Sequence, residues 1–320
     1  MKPTVYIDRP IPVEAEAYIA QYCHIKRGAG AGRRKEMLAE LSDVHGLLTS
    51  GTTIDEELLA AAPVLKAVST ISVGYNIFDI EAMKRHSVVG THTPYVLDET
   101  VADLVFALML GSARRVAEMD RYVKDGLWNG KEGSILFGID VHHRKLGIIG
   151  MGRIGEAVAR RAKLGFEMDV VYYNRRPKPD VEKKLGVRYV ELNELLSGSD
   201  FIVMLVPLTA ETAGMIGREQ FAMMKSSAVF INASRGQSID EGALIDALNK
   251  GTIRSAGLDV YAQEPVDPAN PLLHMPNVLT LPHLGSATDQ TRFDMAMLGA
   301  RNLVNVLTGN GDAYVVDEFL

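Results

Sequence analysis

The chain predicts an α/β fold in two units, one inserted into the other, and three observations predict it. A short apolar run, Lys145-Leu146-Gly147-Ile148-Ile149, ends in Gly150-Met151-Gly152-Arg153-Ile154-Gly155 and passes at once into a helical apolar pattern over residues 156–164. From there to Leu281, near-continuous apolar strands alternate with helices, as in a parallel sheet covered on both faces. The first hundred residues carry a strand and helix alternation of their own, and one long helical pattern, 290–307, follows the second series. That last helix is long enough to return to the first unit. Residues 1–98 with 290–320 are therefore expected to form one discontinuous domain, and 99–289 the inserted one, with a cleft between them. A buried strand that turns through Gly150-x-Gly152-x-x-Gly155 into a helix makes the inserted domain Rossmann-type and dinucleotide-binding. Gly150 permits the tight turn, Gly152 leaves room beside the backbone for a pyrophosphate, and Gly155 lets the helix lie close to the strand.

Taken in order, strands are expected at 4–7, 46–49, 65–69 and 88–91, with helices at 14–22, 35–41 and 79–85. The cluster Gly28-Ala29-Gly30-Ala31-Gly32 lacks the fingerprint spacing and reads as a loop. Thr53-Ile54-Asp55-Glu56 opens a short helix with Thr53 as N-cap. Thr93-Pro94 breaks the alternation, because proline biases the preceding backbone away from helix. Asp98 through Arg115 is a long, mostly apolar helix at the boundary between the units. Residues 116–141, with Trp128 and mixed polarity, read as an irregular connection or arm, long enough to suggest an oligomer contact. The inserted unit then continues through elements at 146–149, 156–164, 169–173, 192–196, 201–205, 228–232, 242–250, 254–260 and 278–281, with a short helix after Met215.

With 320 residues, 47% apolar and 23% charged, the composition is that of an ordinary globular protein with two domains. Lys plus Arg at 34 against Asp plus Glu at 40 gives a formal charge of -6, so no global attraction to nucleic acid or an anionic membrane is expected. Cys23 is the one cysteine, which excludes an internal disulfide, and no neighbouring feature activates its thiol. His142 and His143 are adjacent, so their side chains are expected to diverge, and with no accompanying cluster no metal site is expected. Met1-Lys2-Pro3 leads directly into the apolar strand Thr4-Val5-Tyr6-Ile7, so no signal peptide is expected. The longest strongly apolar helical run, 104–110, is too short to span a bilayer. A cytoplasmic location is the expectation.

About twenty residues beyond the third fingerprint glycine, a domain that binds NAD offers Asp or Glu to the ribose hydroxyls. Here the strand ends in Asn174-Arg175-Arg176. A neutral side chain removes the repulsion of a 2′-phosphate, and two guanidiniums supply charge-assisted donors. NADP(H) is expected to be preferred, with NAD(H) still usable. Three polar residues follow strand ends of the same domain: Arg235 in Asn232-Ala233-Ser234-Arg235-Gly236, Glu264 in Gln263-Glu264-Pro265, and His283 in Leu281-Pro282-His283-Leu284-Gly285. Such strand ends are where parallel sheets hold ligands. Reduction of a 2-oxoacid needs a cation for the carboxylate and carbonyl, which Arg235 meets, and a proton donor, which His283 meets. Glu264 on the other imidazole nitrogen would fix the tautomer. The bland readings are a salt-bridging arginine, a capping glutamate and a strand-end histidine, and spacing alone does not bring the three together.

The chain resembles the D-isomer-specific 2-hydroxyacid dehydrogenase family over almost its whole length. The resemblance runs through Val73-Gly74-Tyr75, Thr93-Pro94, Thr100-Val101-Ala102-Asp103, the fingerprint, Pro207-Leu208-Thr209 with Glu211-Thr212, the Arg235 segment, Gly257-Leu258-Asp259-Val260-Tyr261, Glu264-Pro265 and residues 282–288. Asp140-Val141-His142-His143 looks like the branch of glyoxylate/hydroxypyruvate reductases and 2-ketogluconate reductases, which also favours NADPH. The resemblance implies a Rossmann-type domain inserted into a smaller flavodoxin-like α/β substrate domain. It assigns Arg235 to the substrate carboxylate and carbonyl, His283 to the proton, Glu264 to orienting His283, and backbone amides near Val73 and Gly74 to the carboxylate. Cofactor contacts are implied at Thr100, the fingerprint residues Gly150, Met151, Gly152, Arg153, Ile154 and Gly155, Asn174, Arg175, Arg176, Val206, Pro207, Thr212, Ala233, Ser234, Arg235, Asp259, His283 and Gly285. It further implies a homodimer through the cofactor domain and residues 116–141, with Trp128 against the partner. Two departures stand out: Asn76 where members often have Asp, and Asp98 where they often have Thr. Rival readings are an NAD-dependent dehydrogenase of the 3-phosphoglycerate type, a phosphite-oxidising relative, and a non-enzymatic dinucleotide-sensing protein. Asn174 and the lack of a substantial module after residue 310 weigh against the first.

Overall fold

The computed structural model describes residues 2–28 and 33–320. Positions 29–32 of the glycine-rich loop lie outside the described residues. The chain divides into two units: the described residues of Met1–Leu97 together with Ala287–Leu320, and Asp98–Ser286.

The first unit is a five-stranded parallel sheet built from β1 (Thr4–Ile7), α1 (Val13–Tyr22), β2 (His24–Arg27), α2 (Arg34–Ala39), β3 (Gly46–Thr49), α3 (Glu56–Ala61), β4 (Ala67–Thr70), α4 (Ile80–Arg85) and β5 (Val89–Thr91). Its order, β2-β1-β3-β4-β5, is that of flavodoxin-like folds and reverses between β1 and β3. β3 and β4 are buried throughout, so they read from sequence as apolar runs. Among the described residues β2 pairs only with β1, and its His-Ile-Lys-Arg sequence has none of the alternation that marks a strand, which is why sequence patterning does not find it. One face carries Leu47, Leu58, Leu59, Val68, Phe78 and Met83 under α3 and α4. The opposite face is covered by the long helix Asp289–Thr308, which comes so close that a Cβ on Gly46 would lie 2.7 Å from Leu307 Cδ1. Ser69 Oγ donates to the Gly299 carbonyl at 2.9 Å within that contact. The cap of α3 is Asp55, which accepts from the Leu58 amide, rather than Thr53. The helix starts two residues later than a Thr53 cap would place it, and a carboxylate there also complements the helix dipole. Cys23 is buried, and burial pushes its thiol pKa up.

The second unit opens with α5 (Asp98–Ala113), closed by Arg115 in the left-handed region, and α6 (Val116–Lys124). The expectation of an irregular segment over 116–141 is corrected by α6 and by a 3₁₀ turn at Gly133–Leu136. α6 has no buried residue, so its apolar positions face outward and give no core-directed stripe. The sheet follows: β6 (Lys145–Ile149), α7 (Arg153–Phe166), β7 (Asp169–Tyr173), α8 (Pro179–Leu185), β8 (Arg188–Tyr189), α9 (Leu192–Gly198), β9 (Phe201–Met204), α10 (Arg218–Met223), β10 (Val229–Asn232), α11 (Glu241–Asn249), β11 (Ser255–Leu258) and β12 (Val278–Thr280). All pairings are parallel in the order β12-β11-β10-β9-β6-β7-β8, the Rossmann order with a seventh strand. Strand residues alternate between two cores: Phe201 and Val203 face one with α5 and α7, Ile202 and Met204 the other with α9, α10 and α11. α8 and β8 escape sequence patterning because they are short and lie at the sheet edge. The rings of His142 and His143 do not diverge as expected. They meet edge to face with centroids 4.9 Å apart, since His143 takes a positive φ of 58° that turns its side chain back. No described helix is long and apolar enough to cross a membrane.

Candidate active site

Because every strand of the second unit runs the same way, the segments that follow them emerge along one edge. Gly150 to Gly155 follow β6, next to the point where strand order reverses. Gly150 has φ 103°, and a Cβ there would lie 2.8 Å from the Leu205 backbone. On Gly155 a Cβ would meet the Gly150 carbonyl oxygen at 2.5 Å, whereas on Gly152 it would meet nothing within 4 Å. Two of the glycines are thus required by the fold and the third leaves open space before the N-terminus of α7. That turn fits a dinucleotide pyrophosphate. Met151 is buried beneath it, and Ile154 packs against the core shared with α5. Arg153 donates from Nε to Asp98 Oδ2 at 3.1 Å, which gives the departure at Asp98 a role inside this unit.

Asn174, Arg175 and Arg176 follow β7, with Asn174 half-buried and both arginines exposed. Asn174 Nδ2 donates to the Arg176 carbonyl at 3.4 Å. The Glu211 carboxyl is held below its usual range by the Thr209 hydroxyl, which donates to Oε2 at 2.7 Å, and further by the charge of Arg175. Val206 and Pro207 begin the segment after β9. Thr212 closes it, accepting from the Thr209 amide at 2.8 Å and donating to the Pro207 carbonyl at 2.6 Å. Its hydroxyl shapes its own loop.

Arg235, Glu264 and His283 follow β10, β11 and β12, three neighbouring strands. Glu264 Oε2 lies 2.7 Å from His283 Nδ1, and Glu264 Oε1 accepts from the Tyr261 amide at 3.0 Å. The glutamate is both loop cap and histidine partner. Burial pushes its pKa up, but the bonds to His283 and Tyr261 and the charges of His283 and Arg235 outweigh that and hold it below the usual range. Being ionised it only accepts, so Nδ1 carries the hydrogen and Nε2 is the free end of the ring. Desolvation pulls the half-buried Arg235 guanidinium down from its ordinary value, partly countered by Glu264, the state of a cation short of water and suited to an anion. Arg235 Nη1 donates to the Ser234 carbonyl at 2.7 Å.

The supports of these three groups are what sequence reasoning missed. Asn232, fully buried, accepts from Ser234 N and Oγ and donates to the Arg235 carbonyl, fixing Ala233 to Arg235 as one turn. A Cβ on Gly236 would lie 1.8 Å from the Tyr261 carbonyl, so this turn and the Glu264 loop touch through backbone. Asp259 takes the amides of Leu284 at 2.6 Å and Gly285 at 2.9 Å on its two carboxylate oxygens, and its carbonyl takes the His283 amide at 2.9 Å. His283 has φ 55°, a conformation uncommon for a residue with a side chain, and these three bonds hold it there. Tyr261 ties the same loops through its hydroxyl on the Leu281 carbonyl at 3.1 Å, and burial pushes its pKa up to about 12. The signal was available only as acidic and amide residues beside each motif. Thr100 lies half-buried on α5. Val73 and Gly74 belong to the first unit, after β4, where Ser72 Oγ donates to the Gly74 carbonyl at 2.5 Å. Among the described residues no group of three or more His, Cys, Asp or Glu is arranged to hold a metal.

The sequence profile of the D-isomer specific 2-hydroxyacid dehydrogenase NAD binding domain matches residues 106–285. The chain belongs to this family. It is 49% identical over 311 residues to a glyoxylate/hydroxypyruvate reductase B of Yersinia pestis, covering 97% of this chain and 95% of that one. Among solved structures, a glyoxylate reductase from Paecilomyes thermophila superposes with a TM-score of 0.91 at 30% identity, covering 100% and 99% of the two chains. An NADPH-dependent glyoxylate/hydroxypyruvate reductase from Sinorhizobium meliloti, in complex with NADP and malonate, superposes with a TM-score of 0.88 at 32% identity over 99% and 98%. The activity of the D-2-hydroxyacid dehydrogenases, reduction of 2-oxoacids to D-2-hydroxyacids with a nicotinamide cofactor, is accordingly the activity of this chain.

Proposed function

We propose that this dehydrogenase is an NADPH-preferring reductase of small 2-oxoacids, with glyoxylate and hydroxypyruvate as substrates and 2-keto-D-gluconate as a further one. The observation that carries the reading is the pairing of His283 Nδ1 with an ionised Glu264 at 2.7 Å, beside Arg235 on the next strand end but one. Bound NADPH supplies the hydride to the substrate C2. Arg235 anchors the carboxylate and polarises the carbonyl, offering a partly desolvated guanidinium where charge develops. His283, its Nδ1 hydrogen committed to Glu264, gives the Nε2 proton to the forming alkoxide. Glu264 keeps the ring in that orientation and stabilises its charged form before transfer. In the first unit the amides of Val73 and Gly74 are assigned to the substrate carboxylate, which makes the unit of residues 1–97 with 287–320 the substrate domain and 98–286 the cofactor domain.

Preference for NADPH rests on Asn174, Arg175 and Arg176, which present no carboxylate of their own to a 2′-phosphate. Two relatives carry glyoxylate/hydroxypyruvate reductase names and one of them is NADPH-dependent, which supports both substrate and cofactor. A homodimer through residues 116–141 is part of the same proposal. Val116, Val123, Leu127, Trp128, Ile135 and Phe137 are each more than half exposed there, an apolar surface of the kind a partner covers. His283→Ala is expected to lower glyoxylate turnover about 100-fold or more while NADPH binding, followed by its fluorescence, persists. Unchanged turnover would remove His283 from the mechanism.

A further inference from the structure

In the first unit, the reversal of strand order between β1 and β3 opens the place where parallel sheets of this order hold a ligand. The residues that follow those two strands form a polar group that the function proposed above does not use. Asp8, at the end of β1, is 6% exposed, and its Oδ2 accepts from the hydroxyls of Thr49 and, at 2.7 Å, Thr52. Its other oxygen pairs with Arg9 Nε at 3.5 Å, and neither atom has a hydrogen-bond partner among the described residues. The outer end of the Arg9 guanidinium lies beside Gly51, where a Cβ would sit 3.7 Å from Nη2. Gly51 itself has φ 103°, and the Thr52 amide donates to Thr49 Oγ1 at 3.2 Å, so the loop after β3 is held in a tight turn under the guanidinium.

A buried carboxylate is costly unless paired, and this one fixes the Nε edge of an arginine whose Nη2 lies beside Gly51 in the loop that follows β3. We propose that Arg9, oriented by Asp8, is a specificity-determining residue that binds the distal hydroxyl groups of a long 2-oxoacid. The proposal rests on the assignment of Val73 and Gly74 to the substrate carboxylate. Those residues follow β4, and β1 lies two strands away across β3, which at parallel-strand spacing is about 10 Å. A six-carbon chain spans about 6 Å from first to last carbon at about 1.5 Å per bond, so with a hydrogen bond of about 2.9 Å at each end it bridges that separation. Glyoxylate does not. The chemistry of the far end follows from Asp8. Its carboxylate offsets the Arg9 charge, leaving oriented N–H donors without net positive charge, a partner for neutral hydroxyls rather than for a phosphate dianion.

The test is the ratio of kcat/KM for 2-keto-D-gluconate to kcat/KM for glyoxylate, measured with NADPH on the wild type, on Arg9→Met and on the pair Asp8→Asn with Arg9→Met. The pair removes both charges while Asn still accepts from the two threonines, so no buried charge is stranded if Arg9→Met alone fails to fold. The ratio is expected to fall about tenfold in the variants. An unchanged ratio overturns the proposal, as does a loss confined to 3-phosphohydroxypyruvate, which would mark an anion site instead. Wild-type turnover of glyoxylate without any of 2-keto-D-gluconate also overturns it and leaves the proposed function standing. Failure of the wild type on both would remove that function first.

Discussion

Glu264→Gln isolates the charge that works through His283. In the wild type one carboxylate oxygen takes the Tyr261 amide at 3.0 Å and the other takes His283 Nδ1 at 2.7 Å. If Gln keeps its oxygen on Tyr261, its NH2 faces Nδ1 and opposes the hydrogen that a protonated ring must carry there. If it flips, the Tyr261 bond is lost instead. A charge-assisted hydrogen bond contributes about 1 kcal/mol more than a neutral one, with the low end chosen because the two side chains are 46% and 35% exposed. The mismatched or lost bond adds roughly another 1 kcal/mol. Together these amount to about 2 kcal/mol, roughly 30-fold in rate. The assay is initial-rate oxidation of NADPH by glyoxylate from about pH 5 to about pH 9. The variant should lose about 30-fold in kcat with little change in KM, and its activity should decline at lower pH than the wild type's. Because the Glu264 pKa is depressed below 4.5, its contribution is complete above that value and is lost only as pH falls through the lowered one. The wild-type profile near neutrality is therefore not limited by Glu264. A variant within threefold of wild type across the profile would refute the orienting role.

Other outcomes follow from the cofactor turn. Arg175→Ala with Arg176→Ala should raise the KM for NADPH about tenfold or more and leave that for NADH nearly unchanged; equal losses would sink the phosphate argument. Gly155→Ala places a Cβ against the Gly150 carbonyl oxygen at 2.5 Å, backbone that cannot step aside, and should cost roughly 1–3 kcal/mol in urea unfolding. Gly152→Ala meets no atom within 4 Å and has φ -81°, so its thermal midpoint should hold while NADPH affinity falls. Unaltered NADPH affinity there would separate the fingerprint from cofactor binding.

The doubly wound sheet was legible because its central strands are buried on both faces and so read as apolar runs between helices, β9 and β10 most clearly. β2 and β8 were not, since edge strands bury little and their sequences answer to solvent as much as to the sheet. Arg235, Glu264 and His283 could be singled out as polar residues at strand ends, but spacing along the chain could not make them neighbours. The adjacency of β10, β11 and β12 does that. The bonds of Asp259 and Asn232 to backbone amides were invisible for a further reason: which atoms a carboxylate or amide satisfies depends on loop geometry that no periodicity encodes. The His142 and His143 rings made the same point in reverse, since one positive φ was enough to bring together side chains expected to part.

The central claim, an NADPH-preferring 2-oxoacid reductase acting through Arg235 and His283, is tested most directly by initial rates of NADPH and NADH oxidation measured in parallel with glyoxylate, hydroxypyruvate, 2-keto-D-gluconate and 3-phosphohydroxypyruvate. The expected result is fast turnover of the first three with NADPH, slower turnover with NADH, and little with the phosphorylated acid. Tight NADPH binding with no turnover of any of the four, or turnover favouring NADH and 3-phosphohydroxypyruvate, would contradict it.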